Sequence, residues 1–411
     1  MFSRRHLMQG IGGAIVLASP GILPRLAAAA GGAPLVSGLP SGEYDTAVLD
    51  ALPGKKPLIK LSYRPPNYET PITYFDSAVT PNDSFFVRYH LVDIPDSIDA
   101  RSWKLRIGGE AVATPLELTL ADLQNGYEQV EIAAVCQCSG NRRGLSDPHV
   151  PGVQWGIGAM GNAAWKGVRL KDVLAKAGLR KEAVEIVLNG ADRPVIDRTP
   201  DFIKSIPVWK ALDENTLIAH SMNGEPLPHF NGAPARLVVS GWTATYWMKH
   251  LVTIEAATKP FDGFWMKSAY RIPTGLFPVI DRFLSQETPV NTPITEMVVN
   301  SIITAPADRQ HAKAGRPIEI RGIAWDGGYG VTQVEVSVDG AKSWRDAVLG
   351  KDLGRFAFRQ WTHLFTPPKP GTYSIVAKAS NRVGQTQTEK LIFNPAGYHN
   401  NVVRPVAVTV R

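Results

Sequence analysis

Cysteine is scarce in this sequence: only two of the 411 residues are Cys, at positions 136 and 138. Cysteines two positions apart lie on the same face of a strand, but a disulfide that closed so small a loop would be strained. We therefore expect one thiolate and one neighbouring thiol. The sequence also lacks a Cys-x-x-Cys-His motif, which excludes a c-type haem attached to this chain. We expect no further haem or flavin domain within its length.

Long hydrophobic runs are lacking as well. The apolar stretch from Ile11 to Leu17 is too short to span a bilayer, and no later segment is a transmembrane candidate. The net charge is +7, of which Arg4, Arg5 and Arg25 supply three charges. The remaining modest excess favours small anions. The ten tryptophans are not interleaved with basic residues, so we expect no nucleic-acid binding.

The N-terminus has the three parts of an export signal. Arg4 and Arg5 form a basic region, a short apolar run follows, and Ala27–Ala30 provide small residues for cleavage. The paired arginines resemble a twin-arginine signal, which exports folded proteins. The alternative is an ordinary amphipathic helix. We expect residues 1–30 to be removed and the mature protein to be exported, already folded, to an oxidising compartment, the periplasm.

Composition and pattern divide the remaining chain into two predicted domains, 31–294 and 295–411. Residues 31 to about 80 are rich in Pro and Gly and are expected to wrap the surface. Residues 83–91 predict a strand with Arg88 and His90 on one face, unless both are simply solvated polar residues. Short strands and helices then alternate without regular βαβ units, including a helix after Thr119 and another at 170–178. This predicts an α+β domain.

The C-terminal part has strands of alternating polarity, at 317–324, 331–340 and 371–379, separated by Gly, Pro and Asp turns. This pattern predicts an antiparallel β-sandwich, immunoglobulin-like but without the disulfide of that fold. Such a module more often forms an interface than carries chemistry.

The stretch that carries chemistry is 134–144, Ala-Val-Cys-Gln-Cys-Ser-Gly-Asn-Arg-Arg-Gly, which follows the β-prone residues 130–132. A strand that ends in a thiol and runs into this turn places a potential thiolate beside Arg142 and Arg143. The guanidinium groups stay charged at any working pH. The combination suits an anionic metal cofactor or an anionic substrate.

Four motifs in order resemble the sulfite oxidase family of molybdenum enzymes: 85–90 (Phe-Phe-Val-Arg-Tyr-His), 138–143 (Cys-Ser-Gly-Asn-Arg-Arg), 153–159 (Val-Gln-Trp-Gly-Ile-Gly-Ala) and 165–174. The sequence is most similar to the molybdenum subunits of bacterial periplasmic sulfite dehydrogenases. The resemblance covers nearly the whole mature chain. It implies a sulfite-oxidase-type molybdopterin-binding domain followed by an immunoglobulin-like dimerisation domain.

The resemblance also implies a metal ligand and a substrate pocket. Cys138 matches the family's molybdenum ligand, because soft sulfur suits this metal, and Cys136 would be a buried neighbour. The residues that match the family's anion pocket, and would surround the oxygens of sulfite, are Arg88, Arg143, Trp155 and Tyr270. Structural packing is the alternative for Trp155 and Tyr270.

The molybdopterin would be held by Cys138 and by polar residues from several segments: Arg88, His90, Asp192, Asn231, Arg236, Thr245 and Lys249. Two positions depart from the animal members of the family. Asn231 stands where they have histidine, and Pro151 where they have lysine. The resemblance therefore does not imply the histidine's hydrogen bond at the first position or the lysine's positive charge at the second.

The implied activity is oxidation of sulfite to sulfate by oxygen transfer at molybdenum, with electrons passed one at a time to an external cytochrome c. The implied assembly is a homodimer, or a heteromer with a haem subunit. The alternative activity is an exported molybdenum-dependent reductase of sulfoxides or another oxyanion. A non-enzymatic adhesion module would account for the C-terminal third only.

Overall fold

The computed structural model describes residues 48–411, which are mostly β-strand. The predicted export signal lies outside the described residues. The α-helices in the described part are few and short: α1 (Leu120–Asn125), α2 (Leu170–Lys176), α3 (Val208–Ala211) and α4 (Phe264–Lys267). The α+β prediction therefore overestimated the helix content. The prediction of Thr119 as a helix cap is confirmed, because its hydroxyl accepts from Asp122 N–H while the Asp122 carboxylate accepts from Thr119 N–H.

The first sheet is antiparallel and has the order β1 (Val48–Asp50), β2 (Leu58–Ser62), β3 (Asn67–Glu69), β4 (Val87–Arg88). It corrects two expectations. Residues 48–80 do more than wrap the surface, because Leu58 and Tyr68 are fully buried in a small core with Tyr89. The strand predicted over 83–91 is only two residues long, so His90 follows it rather than sharing its face with Arg88.

Two five-stranded sheets form the body of the cofactor-domain region. The first has the order β10 (Lys204–Pro207), β9 (Glu185–Gly190), β14 (Leu251–Ala257), β5 (Lys104–Gly108), β6 (Leu116–Thr119). The second has the order β12 (Glu225–Pro226), β11 (Thr216–Met222), β8 (Met160–Arg169), β7 (Val130–Gln137), with β13 (Arg236–Val239) also paired to β11. A short pair, β15 (Arg271–Pro273) and β16 (Asn291–Pro293), leads to the C-terminal region.

The C-terminal region consists of two facing sheets. One has the order β17 (Asn300–Ala305), β19 (Ile318–Trp325), β23 (Arg359–Phe365), β22 (Val348–Leu349). The other has the order β18 (Gln310–Ala312), β25 (Val406–Val410), β24 (Gly371–Asn381), β20 (Val331–Ser337), β21 (Arg345–Asp346). Both contribute to one apolar core, as the alternating polarity predicted. The immunoglobulin-like character of the sandwich and the domain bounds at 30 and 294 stay predictions.

The two regions share a core of their own. Met160 and Phe75 from the N-terminal side pack with Trp325, Ile302 and Phe358 from the C-terminal side. Removing one region would therefore expose apolar surface on the other. No helix in the described part of the chain is both long and apolar enough to cross a membrane.

Candidate active site

Both cysteines lie at the carboxyl end of β7, where this strand leaves its pairing with β8. The turn that follows is fixed by hydrogen bonds: Cys138 N–H donates to the Ala159 carbonyl (2.9 Å), and the Asn141 side-chain oxygen accepts from Ala159 N–H (3.0 Å). Both thiols are free and buried. Cys136 accepts a hydrogen bond from the Arg236 guanidinium at 3.8 Å. Burial raises the pKa of Cys136 to about 11, so this sulfur stays a neutral thiol.

A single cavity collects most of the predicted site residues. Its empty volume, with the solvent at its mouth included, is about 660 Å³. Nine of the eleven predicted residues line it: Arg88, His90, Cys138, Asp192, Asn231, Arg236, Thr245, Lys249 and Tyr270. Cys136, predicted to be a buried neighbour of the ligand, is buried and lines the same cavity.

One end of the cavity is basic. Arg236 is buried there and Lys249 is half-buried. Burial lowers the pKa of both, and the charge of Arg236 lowers the pKa of Lys249 further. Asp192 faces them, and burial raises the pKa of its carboxyl to about 6 although Lys249 opposes the shift. A Cβ at Gly190 would lie 2.7 Å from the Asp192 carboxylate, so only glycine allows this close approach. Such an end attracts an anion.

The other end of the cavity contains an aromatic and imidazole cluster. The His90 imidazole bonds the Tyr270 hydroxyl and stacks on Phe202 with ring centroids 3.7 Å apart. Burial and then the charges of Arg88 and Lys249 hold the pKa of His90 well below its usual range, so its ring is neutral. Burial also raises the pKa of Tyr270, which keeps its hydroxyl protonated. Tyr270 has φ +59°, an unusual backbone conformation that aims its side chain at the cavity.

Two predicted pocket residues do not line the cavity. Arg143 donates to the carbonyls of Ala396 (2.7 Å) and Val153 (3.1 Å), and its guanidinium lies 5.3 Å from the Tyr398 ring. Tyr398 in turn stacks on Tyr270 with centroids 5.7 Å apart, so Arg143 is one ring away from the cavity. Trp155 is fully buried in the core, and its indole N–H has no hydrogen-bond partner among residues 48–411. Their roles in the anion pocket stay predictions.

The cavity meets the requirements of a molybdopterin site. Three buried polar atoms of its lining have no hydrogen-bond partner within the described residues: Arg88 Nε, Arg236 Nε and Thr245 Oγ1. Buried donors of this kind point to a bound group that satisfies them. The described residues contain no group of three or more His, Cys, Asp and Glu side chains that could hold a metal. A metal at Cys138 would therefore need further ligands from its own cofactor, as a pterin dithiolene supplies.

Several residues beside the cavity had no sequence signal. Tyr398 reaches Tyr270 from the far end of the chain. Lys204 is buried with its ammonium 5.1 Å from the Tyr270 ring centre, and Lys55 bonds Asn231 from 176 positions away. Contacts between residues so far apart in the chain leave no periodic pattern in a single sequence, so only a known relative could have suggested them.

Comparison with known proteins gives two family matches. Residues 91–265 match the oxidoreductase molybdopterin binding domain, and residues 291–411 match the Mo-co oxidoreductase dimerisation domain. Mitochondrial sulfite oxidase of Macaca fascicularis is 33% identical over 375 residues, which cover 87% of this chain and 67% of that protein. Nitrate reductase [NADH] 1 of Oryza sativa subsp. japonica is 28% identical over 391 residues, covering 89% of this chain and 42% of that protein.

Among solved structures, the sulfane dehydrogenase SoxCD from Paracoccus pantotrophus superposes with a TM-score of 0.71, at 26% identity and 85% coverage of both chains. The fold, the cysteine-containing cavity and the two domain matches define a molybdopterin-binding oxidoreductase with a dimerisation domain. Within that class, the chain belongs to the sulfite oxidase family.

Proposed function

We propose that this chain oxidises sulfite to sulfate and passes the two electrons, one at a time, to an external cytochrome c. The observation that carries the proposal is that Cys138 lines the same buried cavity as Arg88, His90 and Tyr270. A soft ligand for molybdenum and donors for a small oxyanion thus share one enclosed space. The overall change is sulfite plus water to sulfate, two protons and two electrons.

Bound as its pterin cofactor, molybdenum would supply the oxygen atom that sulfur gains and take up the two electrons. The basic end with Arg236, Lys249 and Thr245 would hold the anionic tail of that cofactor. Arg88 would bind the sulfite oxygens, because a guanidinium offers paired donors to an oxyanion and the Nε of Arg88 has no partner within residues 48–411. Tyr270 stays protonated and can donate a hydrogen bond, while the neutral His90 fixes the direction of its hydroxyl.

The family contains enzymes with other substrates, so the substrate needs a direct test. The relatives named above include a nitrate reductase and a sulfane dehydrogenase. We expect the purified chain to contain molybdenum by mass spectrometry and to reduce cytochrome c when sulfite is added. Cys138→Ser protein, expressed and purified in the same way, is the control. The proposal would be overturned in favour of a reductase if the molybdenum-containing enzyme does not oxidise sulfite but transfers electrons from a reduced dye to nitrate or a sulfoxide.

We further propose export to the periplasm by the twin-arginine route and assembly as a homodimer or with a haem subunit. The arginine pair at positions 4 and 5 supports export, and the match to a dimerisation domain supports the homodimer. With Arg4→Lys and Arg5→Lys combined, we expect active enzyme to remain in the cytoplasm. Fractionation followed by an activity stain checks this, and active periplasmic enzyme from the double variant would contradict it.

A further inference from the structure

Lys55 is a buried lysine outside the cavity, and it is only 8% exposed. Its ammonium donates to the carbonyls of Asn82 (2.6 Å) and Phe85 (3.1 Å) and to the Asn231 side-chain oxygen (2.6 Å). A protonated amine has three N–H donors and a neutral one has two, so three acceptors at these distances require the charged form. Burial lowers the pKa of Lys55 to about 7, and the nearby Asp83 opposes this shift.

The contact with Lys55 decides which way the Asn231 amide faces. Its oxygen accepts from Lys55, and its nitrogen donates to the Phe86 carbonyl over a long 3.4 Å. A flipped amide would bring its NH₂ against the ammonium and its oxygen against that carbonyl, so repulsion at both contacts disfavours the flipped orientation. Asn231 lines the cavity, and its side-chain oxygen is already bonded to Lys55, so the amide N–H is the group left to donate to a bound cofactor.

The backbone around Asn231 is held by two further cations. Arg236 donates to the Asn231 carbonyl at 2.8 Å, and Lys249 donates to the Phe230 carbonyl at 3.3 Å. Three positive side chains thus converge on this short segment, and each is bonded to one of its oxygens. The segment is left with donors and positive potential for whatever the cavity binds there.

We propose that Lys55 is a positioning residue that locks Asn231 as a hydrogen-bond donor to the anionic, phosphate-bearing end of the cofactor. This inference rests on the proposed function, since it presumes a bound molybdopterin. It explains how asparagine can serve at a position where animal members of the family have histidine. The donor comes from the amide, and its orientation comes from a lysine in the N-terminal segment.

The test measures how fast molybdenum is released from the purified wild-type protein and three variants, at a fixed temperature below unfolding. Lys55→Met frees the amide to flip, and Asn231→Asp keeps the bond to Lys55 but cannot donate to an anion. We expect both to release molybdenum about tenfold faster, the effect of losing one charge-assisted bond. Lys56→Met is the matched control, because the Lys56 side chain is half exposed and its ammonium forms an ion pair with the partly exposed Asp83.

The melting temperature of the cofactor-free chain separates positioning from loss of fold. We expect Asn231→Asp to melt within about 4 °C of wild type, because the new ion pair with Lys55 offsets the lost bond to the Phe86 carbonyl. Wild-type release rates in either Lys55→Met or Asn231→Asp would overturn the inference alone. If Lys55→Met does not fold, the release rate of Asn231→Asp still tests the inference, because the inference requires Asn231 to donate a hydrogen bond to the cofactor. A wild-type chain without molybdenum would overturn the proposed function and this inference with it.

Discussion

At the residue scale, the two thiols share one cavity but have different surroundings. Cys136 is tied to the buried Arg236, and its raised pKa keeps it protonated. Cys138 ends the strand beside a turn that its own backbone and Asn141 hold in place. Cys138 is therefore the candidate metal ligand through its match to the family motif, and Cys136 is the neighbour that Arg236 holds in place.

Replacing the cysteines one at a time separates the two roles. We expect Cys138→Ser to lose molybdenum and sulfite oxidation, because a hydroxyl is a poor ligand for a soft metal site. Cys136→Ser should keep molybdenum, because a hydroxyl can still accept from Arg236, and should mainly lower the melting temperature. Metal analysis and thermal unfolding of both variants check this. If Cys136→Ser is the protein without molybdenum, the ligand assignment is wrong.

The two arginines predicted for the anion pocket now differ in their surroundings. Arg88 lines the cavity, so Arg88→Met should raise the KM for sulfite by roughly ten- to a hundredfold, the value of one lost charge-assisted contact. Arg143 instead bonds two backbone carbonyls outside the cavity. Its replacement by Met should lower stability more than sulfite affinity. Steady-state kinetics and unfolding of both variants test this, and a large KM effect in Arg143→Met alone would reverse the assignment.

At the element scale, local patterns predicted the strands that alternate in polarity and the cap at Thr119. They failed where a long-range contact decides the structure. The segment 48–80 lacks a period, yet Leu58 and Tyr68 pack into a core because β2 and β3 pair with each other and β3 pairs with β4. The cavity itself was predictable only through the resemblance, because its lining comes from turns far apart in sequence.

One buried carboxyl links elements of the two regions. Glu296 accepts from Tyr329 of the C-terminal sandwich (2.6 Å) and from the backbone N–H of Ile280 (2.5 Å). Burial raises the pKa of Glu296 to about 7 from a usual value near 4.5. The folded protein therefore binds more protons than the unfolded chain between these two values. The contribution of this carboxyl to the free energy of unfolding is therefore fully present below pH 4.5 and is lost as the pH rises through 7.

Glu296→Gln should remove this pH dependence, because an amide does not titrate in this range. Between pH 5 and pH 8 we expect the wild-type free energy of unfolding to fall by about 2 to 3 kcal/mol more than that of Glu296→Gln. Urea unfolding at both pH values measures the difference. Glu389→Gln, at an exposed position, is the control and should follow wild type. Parallel curves for wild type and Glu296→Gln would show that the carboxyl ionises normally.

At the scale of the whole molecule, the C-terminal sandwich contributes to the site as well as to assembly. Tyr398 stacks on Tyr270, and the Ala396 carbonyl accepts from Arg143. The Asn400 side chain also donates to the Arg142 carbonyl at 3.1 Å, beside the cysteine turn. The sandwich therefore supports the cavity from behind, and a chain cut at residue 294 would lose these contacts together with the shared core. Dimerisation is better tested by a surface change than by truncation.

Val348 and Leu364 offer such a surface. They are 71% and 69% exposed, and both lie on the outer face of the sandwich, since Val348 is opposite Thr362 and Leu364 is two residues further along the same strand. Exposed apolar side chains at adjacent strand positions are typical of a face that another chain covers. Because residues 291–411 match a dimerisation domain, we expect that chain to be a second copy.

Leu364→Asp should therefore shift the protein from dimer to monomer, because a buried interface would have to desolvate an unpaired carboxylate. Val383→Asp is the matched control, since Val383 is also exposed in the sandwich but lies in the turn after β24. Light scattering on purified wild type and both variants gives the molar mass directly. We expect a dimer for wild type and Val383→Asp, and a folded monomer that keeps its molybdenum for Leu364→Asp. A dimer in all three would place the interface on another face, and a wild-type monomer would contradict assembly through this domain.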